Sequence, residues 1–129
     1  MTRHVIATPD APAAIGPYSQ AIQLGSLLFT SGQIPLDPKT QTMVEGGIQA
    51  QAERVMLNLE AVLKAANCTF ADVCKTNIYL IDLAADFAAV NEVYGKRFGE
   101  GPPARSTIQV AALPKGARVE IGMISLKHA

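Results

Sequence analysis

The chain has no net charge: its 129 residues hold eleven Lys and Arg against eleven Asp and Glu. Without a net field there is no long-range pull on nucleic acid or an anionic membrane, and the basic residues are scattered from Arg3 to Lys127 without a polybasic stretch. Long apolar runs are lacking as well. Pro9 and Pro12 interrupt the N-terminal segment before a signal-peptide core develops, and no run approaches the roughly twenty residues a membrane helix needs. These absences predict a cytoplasmic chain with no nucleic-acid or membrane partner.

Histidine and cysteine are scarce, two of each. His4 and His128 sit at opposite ends and read as surface residues rather than ligands. Cys68 and Cys74 leave two readings open, a disulfide or reduced packing residues; the missing export signal favours the second. Neither has a neighbouring His to complete a zinc site. Glycine-rich phosphate loops and nucleophile elbows are also absent, which disfavours kinases, serine hydrolases and zinc enzymes.

What is present fits one domain spanning residues 1–129. A short strand is expected at 4–7, then an ordered loop at 8–16, and a hairpin of 21–24 with 27–31 around Gly25-Ser26. A surface connection fills 35–47. From Ile48, apolar residues recur every three or four positions through Val55, Met56, Leu59, Val62 and Leu63, with Gln51, Glu53, Arg54, Asn58, Glu60 and Lys64 on the polar face. Strand 73–81 follows, with Val73, Tyr79 and Ile81 on one side and Cys74, Ile78 and Leu80 on the other. A second helix is expected at about 84–98 on the spacing of Phe87, Val90, Val93, Tyr94 and Phe98, then strands at 105–111 and 118–126.

This order predicts a mixed α+β sheet with both helices on one face. Val119, Ile121 and Met123 on one side of the last strand, with Ile124 and Leu126 on the other, leave the second sheet face apolar and uncovered. A second copy of the chain is the expected cover.

Two charges stand where a sheet favours apolar residues, Arg105 at a strand start and Glu120 inside a strand. Taken singly, each also fits a solvated strand charge. The tail Pro103-Ala104-Arg105-Ser106-Thr107-Ile108-Gln109-Val110-Ala111-Ala112-Leu113, with Val119-Glu120-Ile121 after it, closely resembles the C-terminal signature of the RidA/YjgF family. Ala14-Ile15-Gly16-Pro17-Tyr18-Ser19-Gln20-Ala21, Thr30-Ser31-Gly32-Gln33-Ile34-Pro35, Lys75-Thr76 and Asp86-Phe87-Ala88-Ala89-Val90-Asn91 resemble its other blocks.

The resemblance implies a chorismate-mutase-like α+β domain, about six strands with two helices on one face, assembled as a homotrimer with sites between subunits. It implies a cofactor-free, metal-free deaminase that hydrolyses 2-imino and enamine acids, such as 2-aminoacrylate and 2-aminocrotonate, to 2-oxo acids and ammonia. By matching positions, Arg105 grips the substrate carboxylate, Glu120 manages the attacking water, and the Thr107 backbone carbonyl helps hold it. Tyr18, Ser31, Gly32 and Asn91 line the cleft, although the first two and Asn91 also fit a loop plug, a strand end and a polar helix position. Thr107 stands where many relatives carry Cys, and Gly101-Pro102-Pro103 departs from the aromatic usual before the Pro-Ala-Arg-Ser block. A non-catalytic trimeric module binding small carboxylates and a ribonuclease or translation inhibitor are the competing readings. Neutral charge counts against the ribonuclease.

Overall fold

The structure, a computed structural model, describes residues 2–127. Strands β1 (Arg3–Ile6), β2 (Ala21–Leu24) and β3 (Leu27–Thr30) form an antiparallel meander. Gly25, first of the two turn residues, takes a φ of +60°, which a hairpin of this length asks of that position. Helix α1 (Ile48–Ala65) leads to β4 (Val73–Leu80), helix α2 (Leu83–Gly95) to β5 (Ala104–Gln109), and the chain closes with β6 (Val119–Leu126). The sheet order is β1-β2-β3-β6-β4-β5, with only β4 and β5 parallel. The last strand therefore inserts between β3 and β4, antiparallel to both.

The α1 repeat buries Ala52, Val55, Met56, Leu59, Val62 and Leu63 against Leu28, Ile78, Leu80, Val119, Ile121 and Met123 of the sheet. Burying each such side chain contributes about 1.5–3 kcal/mol, so this layer dominates the favourable side of folding. The helix stops in a left-handed turn. Asn67 turns left-handed at a φ of +59°, and the N–H groups of Cys68 and Asn67 donate to the carbonyls of Leu63 and Lys64. Two residues expected on the solvated face are instead buried, because each serves a neighbouring backbone. Asn58 donates to the carbonyls of Ile34 and Leu36, and Gln51 accepts from the Arg118 N–H.

In β4 the expected facing holds only in part. Val73 pairs Ser125 while Lys75 pairs the adjacent Ile124, so Cys74 is an extra residue in a bulge. The bulge turns Val73 to the helix side with Thr76, Ile78 and Leu80, and leaves Cys74 exposed rather than packed. Cys68 is buried, and both cysteines are free thiols outside any disulfide. The second helix ends three residues earlier than its spacing suggests, and Phe98 packs back on Tyr94 and Phe70 from the following turn. His4 lies exposed in β1; His128 lies outside the described residues.

Both helices pack on one sheet face, as expected. The other is uncovered in the single chain and carries Leu27, Phe29, Ile124 and Leu126 around the β3–β6 seam, with Leu126 47% exposed. No helix among the described residues is long and apolar enough to cross a membrane.

Candidate functional site

Glu120 belongs to the uncovered face, because its neighbours Val119 and Ile121 point into the helix layer. What it meets is set by the segment after β3. Gln33 exchanges backbone hydrogen bonds with Ile121, donating at 2.8 Å and accepting at 3.2 Å, which lays 31–33 along β6. Gly32 thereby passes under the Glu120 side chain so closely that a Cβ there would stand 2.5 Å from its Oε2. A Cβ added at Gly122 would lie 3.8 Å from the Gly32 Cα, an ordinary van der Waals contact.

The loop 8–16 is ordered by Gln20, buried at the start of the meander. Its amide donates to the carbonyls of Thr8, Ala11 and Pro12 and accepts from the Thr8 N–H. Tyr18 then stands beside Glu120, its hydroxyl accepting from the Ile15 N–H at 3.2 Å. The Ser31 hydroxyl donates to the Ser19 carbonyl at 2.5 Å, which leaves its lone pairs unspent. Ile15, Tyr18, Ser31, Gly32, Ile34, Pro114 and Glu120 line an open depression of about 320 Å³. Glu120 has no ion pair or hydrogen bond among the described residues, and burial pushes its carboxyl above the ordinary value of 4.5.

Arg105 is elsewhere. It pairs Thr76 across the parallel β4–β5 ladder, and Thr76 is fully buried under α2, so Arg105 faces the helix side of the sheet. Its guanidinium carbon lies 5.1 Å from the Tyr94 ring centroid and 5.7 Å from that of Phe87. The Tyr94 hydroxyl is 2.8 Å from Thr76 Oγ1, and burial raises the phenol further above its ordinary range. Arg105, Asn91, Tyr94, Gly95, Phe98, Gly99, Pro102 and Pro103 line a second depression, also of about 320 Å³. The Gly101-Pro102-Pro103 departure thus shapes the wall beside Arg105. Thr107, on the same side of β5, buries a hydroxyl oxygen with no partner.

The residues singled out in the sequence therefore fall into two groups: Tyr18, Ser31, Gly32 and Glu120 on one side of the sheet, Asn91, Arg105 and Thr107 on the other. One chain does not bring them together. Sequence reasoning missed the partners of Arg105, Phe87 and Tyr94, although with Asn91 they make a stripe at spacings of four and three on α2. It also missed the buried Asp86, which accepts from Arg118 at 2.6 Å and ties α2 to the start of β6.

Fold and depressions define a small α+β protein with a cation and a carboxylate at opposite faces of one sheet, neither with an opposite charge among the described residues. A family model described as endoribonuclease L-PSP matches residues 8–127. The chain is 56% identical over 128 residues to Protein DfrA of Myxococcus xanthus, covering 98% of this chain and 97% of that one. It is 49% identical over 125 residues to the 2-iminobutanoate/2-iminopropanoate deaminase of Mus musculus, covering 97% and 92%. The crystal structure of RidA from the Antarctic bacterium Psychrobacter sp. PAMC 21119 matches with a TM-score of 0.91 at 47% identity, over 95% and 98% of the two chains. The protein belongs to the RidA/YjgF family, and the six-stranded mixed sheet is the fold of that family's solved structures.

Proposed function

We propose that the protein hydrolyses reactive 2-imino and enamine acids to 2-oxo acids and ammonia, in the cytoplasm and without a metal or cofactor. The site is completed when Arg105 of one copy meets Glu120 of the next in a homotrimer. The observation that carries this reading is the complementary pair of unmet charges. Among the described residues Arg105 has no carboxylate and Glu120 no cation, and each opens onto a depression of the size of a small organic acid. Family relatives named as imine deaminases at 45–49% identity support the same chemistry.

A 2-imino acid carries a carboxylate next to its electrophilic carbon. The planar fork of Arg105 takes that carboxylate by two parallel N–H donations, leaving the C=N carbon at a fixed distance from the cation. Glu120, ionised, accepts a proton from a water aimed at that carbon, and the Thr107 carbonyl gives the water its second anchor. The water oxygen bonds to C2, the C=N electron pair goes to nitrogen, and protonated nitrogen leaves as ammonia when the C–O bond becomes the carbonyl. Tyr18, Ser31 and Asn91 supply hydrogen bonds at the rim, and Gly32 gives Glu120 its place.

A site built only to hold a carboxylate would gain nothing from a second anion brought close, because like charges repel in a cleft that excludes water. That argues for the enzyme over the binding module. Neutral total charge argues against the ribonuclease.

Two measurements test the reading. Added to a dehydratase that makes imines from Ser, Thr or bulkier amino acids, the protein should speed release of 2-oxo acid and ammonia; no acceleration with any precursor removes the assignment. Light scattering should give a trimer, and mixed assemblies of Arg105→Ala and Glu120→Gln copies should regain about a quarter of wild-type turnover, since each site then draws its two residues independently. A monomer, or mixtures as inactive as their parents, would refute sites shared between copies.

Gly32→Ala offers a finer check. Its backbone is not in the left-handed region, so the cost falls on the Glu120 side chain, which must swing aside along its whole end. Turnover should fall by a factor on the order of 10² with a melting temperature close to wild type. Unchanged turnover in the alanine variant would show that Glu120 has no fixed place over Gly32.

A further inference from the structure

Two other arginines have a guanidinium held by a carboxylate, and a third, Arg54, donates its Nε–H to Asn58 Oδ1. Arg97 is paired to Glu53 of α1, and Arg118 is forked by Asp86 of α2 at 2.6 and 3.3 Å. In both, carboxylate oxygens consume the N–H donors. Arg105 is held differently: among the described residues it has no ion pair or side-chain hydrogen bond, and its guanidinium carbon lies over two aromatic faces, Tyr94 at 5.1 Å and Phe87 at 5.7 Å. A ring attracts a cation through its quadrupole, within about 6 Å, and offers no carboxylate oxygen to the N–H donors.

The rings themselves are set in place. Phe87 and Tyr94 are seven residues apart on α2, two turns along one stripe, so both reach the same side of β5. Tyr94 is 5% exposed and its hydroxyl bonds Thr76, the residue directly beside Arg105 in the β4–β5 register. Phe87 is 40% exposed in the single chain and lies outside the hydrophobic core, with its ring beside the Arg105 guanidinium.

We propose that Phe87 and Tyr94, with Thr76 fixing Tyr94, are positioning residues for Arg105: they hold the guanidinium by its face and reserve its donor edges for the carboxylate of the substrate. This inference rests on the function assigned above only for what Arg105 binds. Replacing a ring by an aliphatic side chain would free the guanidinium to swing, weakening capture of the carboxylate while leaving the Glu120 chemistry of bound substrate in place.

The test compares Phe87→Leu with Phe87→Tyr, both tolerable at a half-exposed position, and Tyr94→Phe, which keeps the ring and drops the hydroxyl. In the free protein, the Arg105 side-chain proton resonances should lie upfield through the ring currents, move toward ordinary positions in Phe87→Leu, and stay in Phe87→Tyr. The Kd for 2-oxobutyrate and the KM should rise about three- to thirtyfold in Phe87→Leu with kcat within about twofold, and Phe87→Tyr should restore both. Tyr94→Phe should show a smaller rise than Phe87→Leu. Ordinary Arg105 resonances in the wild type, or a Phe87→Leu variant with wild-type resonances or wild-type Kd, overturn the proposal. Should the wild type neither bind 2-oxobutyrate nor hydrolyse imines, the proposed function fails, and the resonances alone then decide the positioning role.

Discussion

Arg105→Ala is expected to abolish measurable binding of 2-oxo acid analogues and imine hydrolysis together. The guanidinium holds the carboxylate in ground state and transition state alike, and removing one charged, bidentate contact of this kind costs about 2–5 kcal/mol when it is desolvated. Because Arg105 has no carboxylate partner among the described residues, its removal strands no buried charge there, and the melting temperature should stay near wild type. Arg105→Lys should recover a part only, since an ammonium supplies the charge without the fork. Calorimetric titration with 2-oxobutyrate and kcat/KM for a generated imine check both. An alanine variant with full turnover would refute the role given to Arg105 while leaving the fold untouched.

Glu120→Gln should fail in a different way. Glutamine is nearly isosteric and still fits over Gly32, so analogue binding should stay near normal, while turnover drops by a factor on the order of 10² because no base takes the proton from water. The wild-type pH profile carries the same information. Burial favours the protonated carboxyl, so Glu120 ionises above the ordinary 4.5; in the complex the substrate carboxylate occupies Arg105, which then offers little compensation. Since the ionised form is the active one, kcat should fall as pH drops through that raised value, an acid limb the Gln variant should lack. Loss of binding with a wild-type kcat in Glu120→Gln would assign the residue to substrate capture instead.

Parts of the molecule were legible because they depend on local order. The α1 repeat and the left-handed stop at Asn67 follow from spacing and residue type near each position. In β6 the alternation of Val119, Ile121 and Met123 with Ile124 and Leu126 already separated a helix-covered face from an uncovered one. The motifs around Tyr18, Ser31, Arg105 and Glu120 were readable as a family signature. By contrast, the bulge at Cys74 depends on how β4 is paired with β6, and one inserted residue turned Val73 and Cys74 to the faces opposite to those expected. Gln51 and Asn58 looked like surface residues since the helix period registers polarity, whereas their burial depends on the backbone of Arg118 and of residues 34–36 arriving from far along the chain.

The candidate site divides along the same line. By itself the sequence determined which side chains are available for chemistry, a guanidinium, a carboxylate and a glycine, and that β6 must present Glu120 away from Val119 and Ile121, because strand side chains alternate by geometry. Only the tertiary structure decided that Arg105 shares a face with Thr76 and the α2 rings, whereas Glu120 lies on the other face over Gly32. The physical reason is that a strand's period fixes the relative facing of its own residues, but which face looks toward the helices, and which strand lies beside which, follows from long-range pairing. Here that pairing placed the last strand between β3 and β4 and left the two charges unable to meet within one chain.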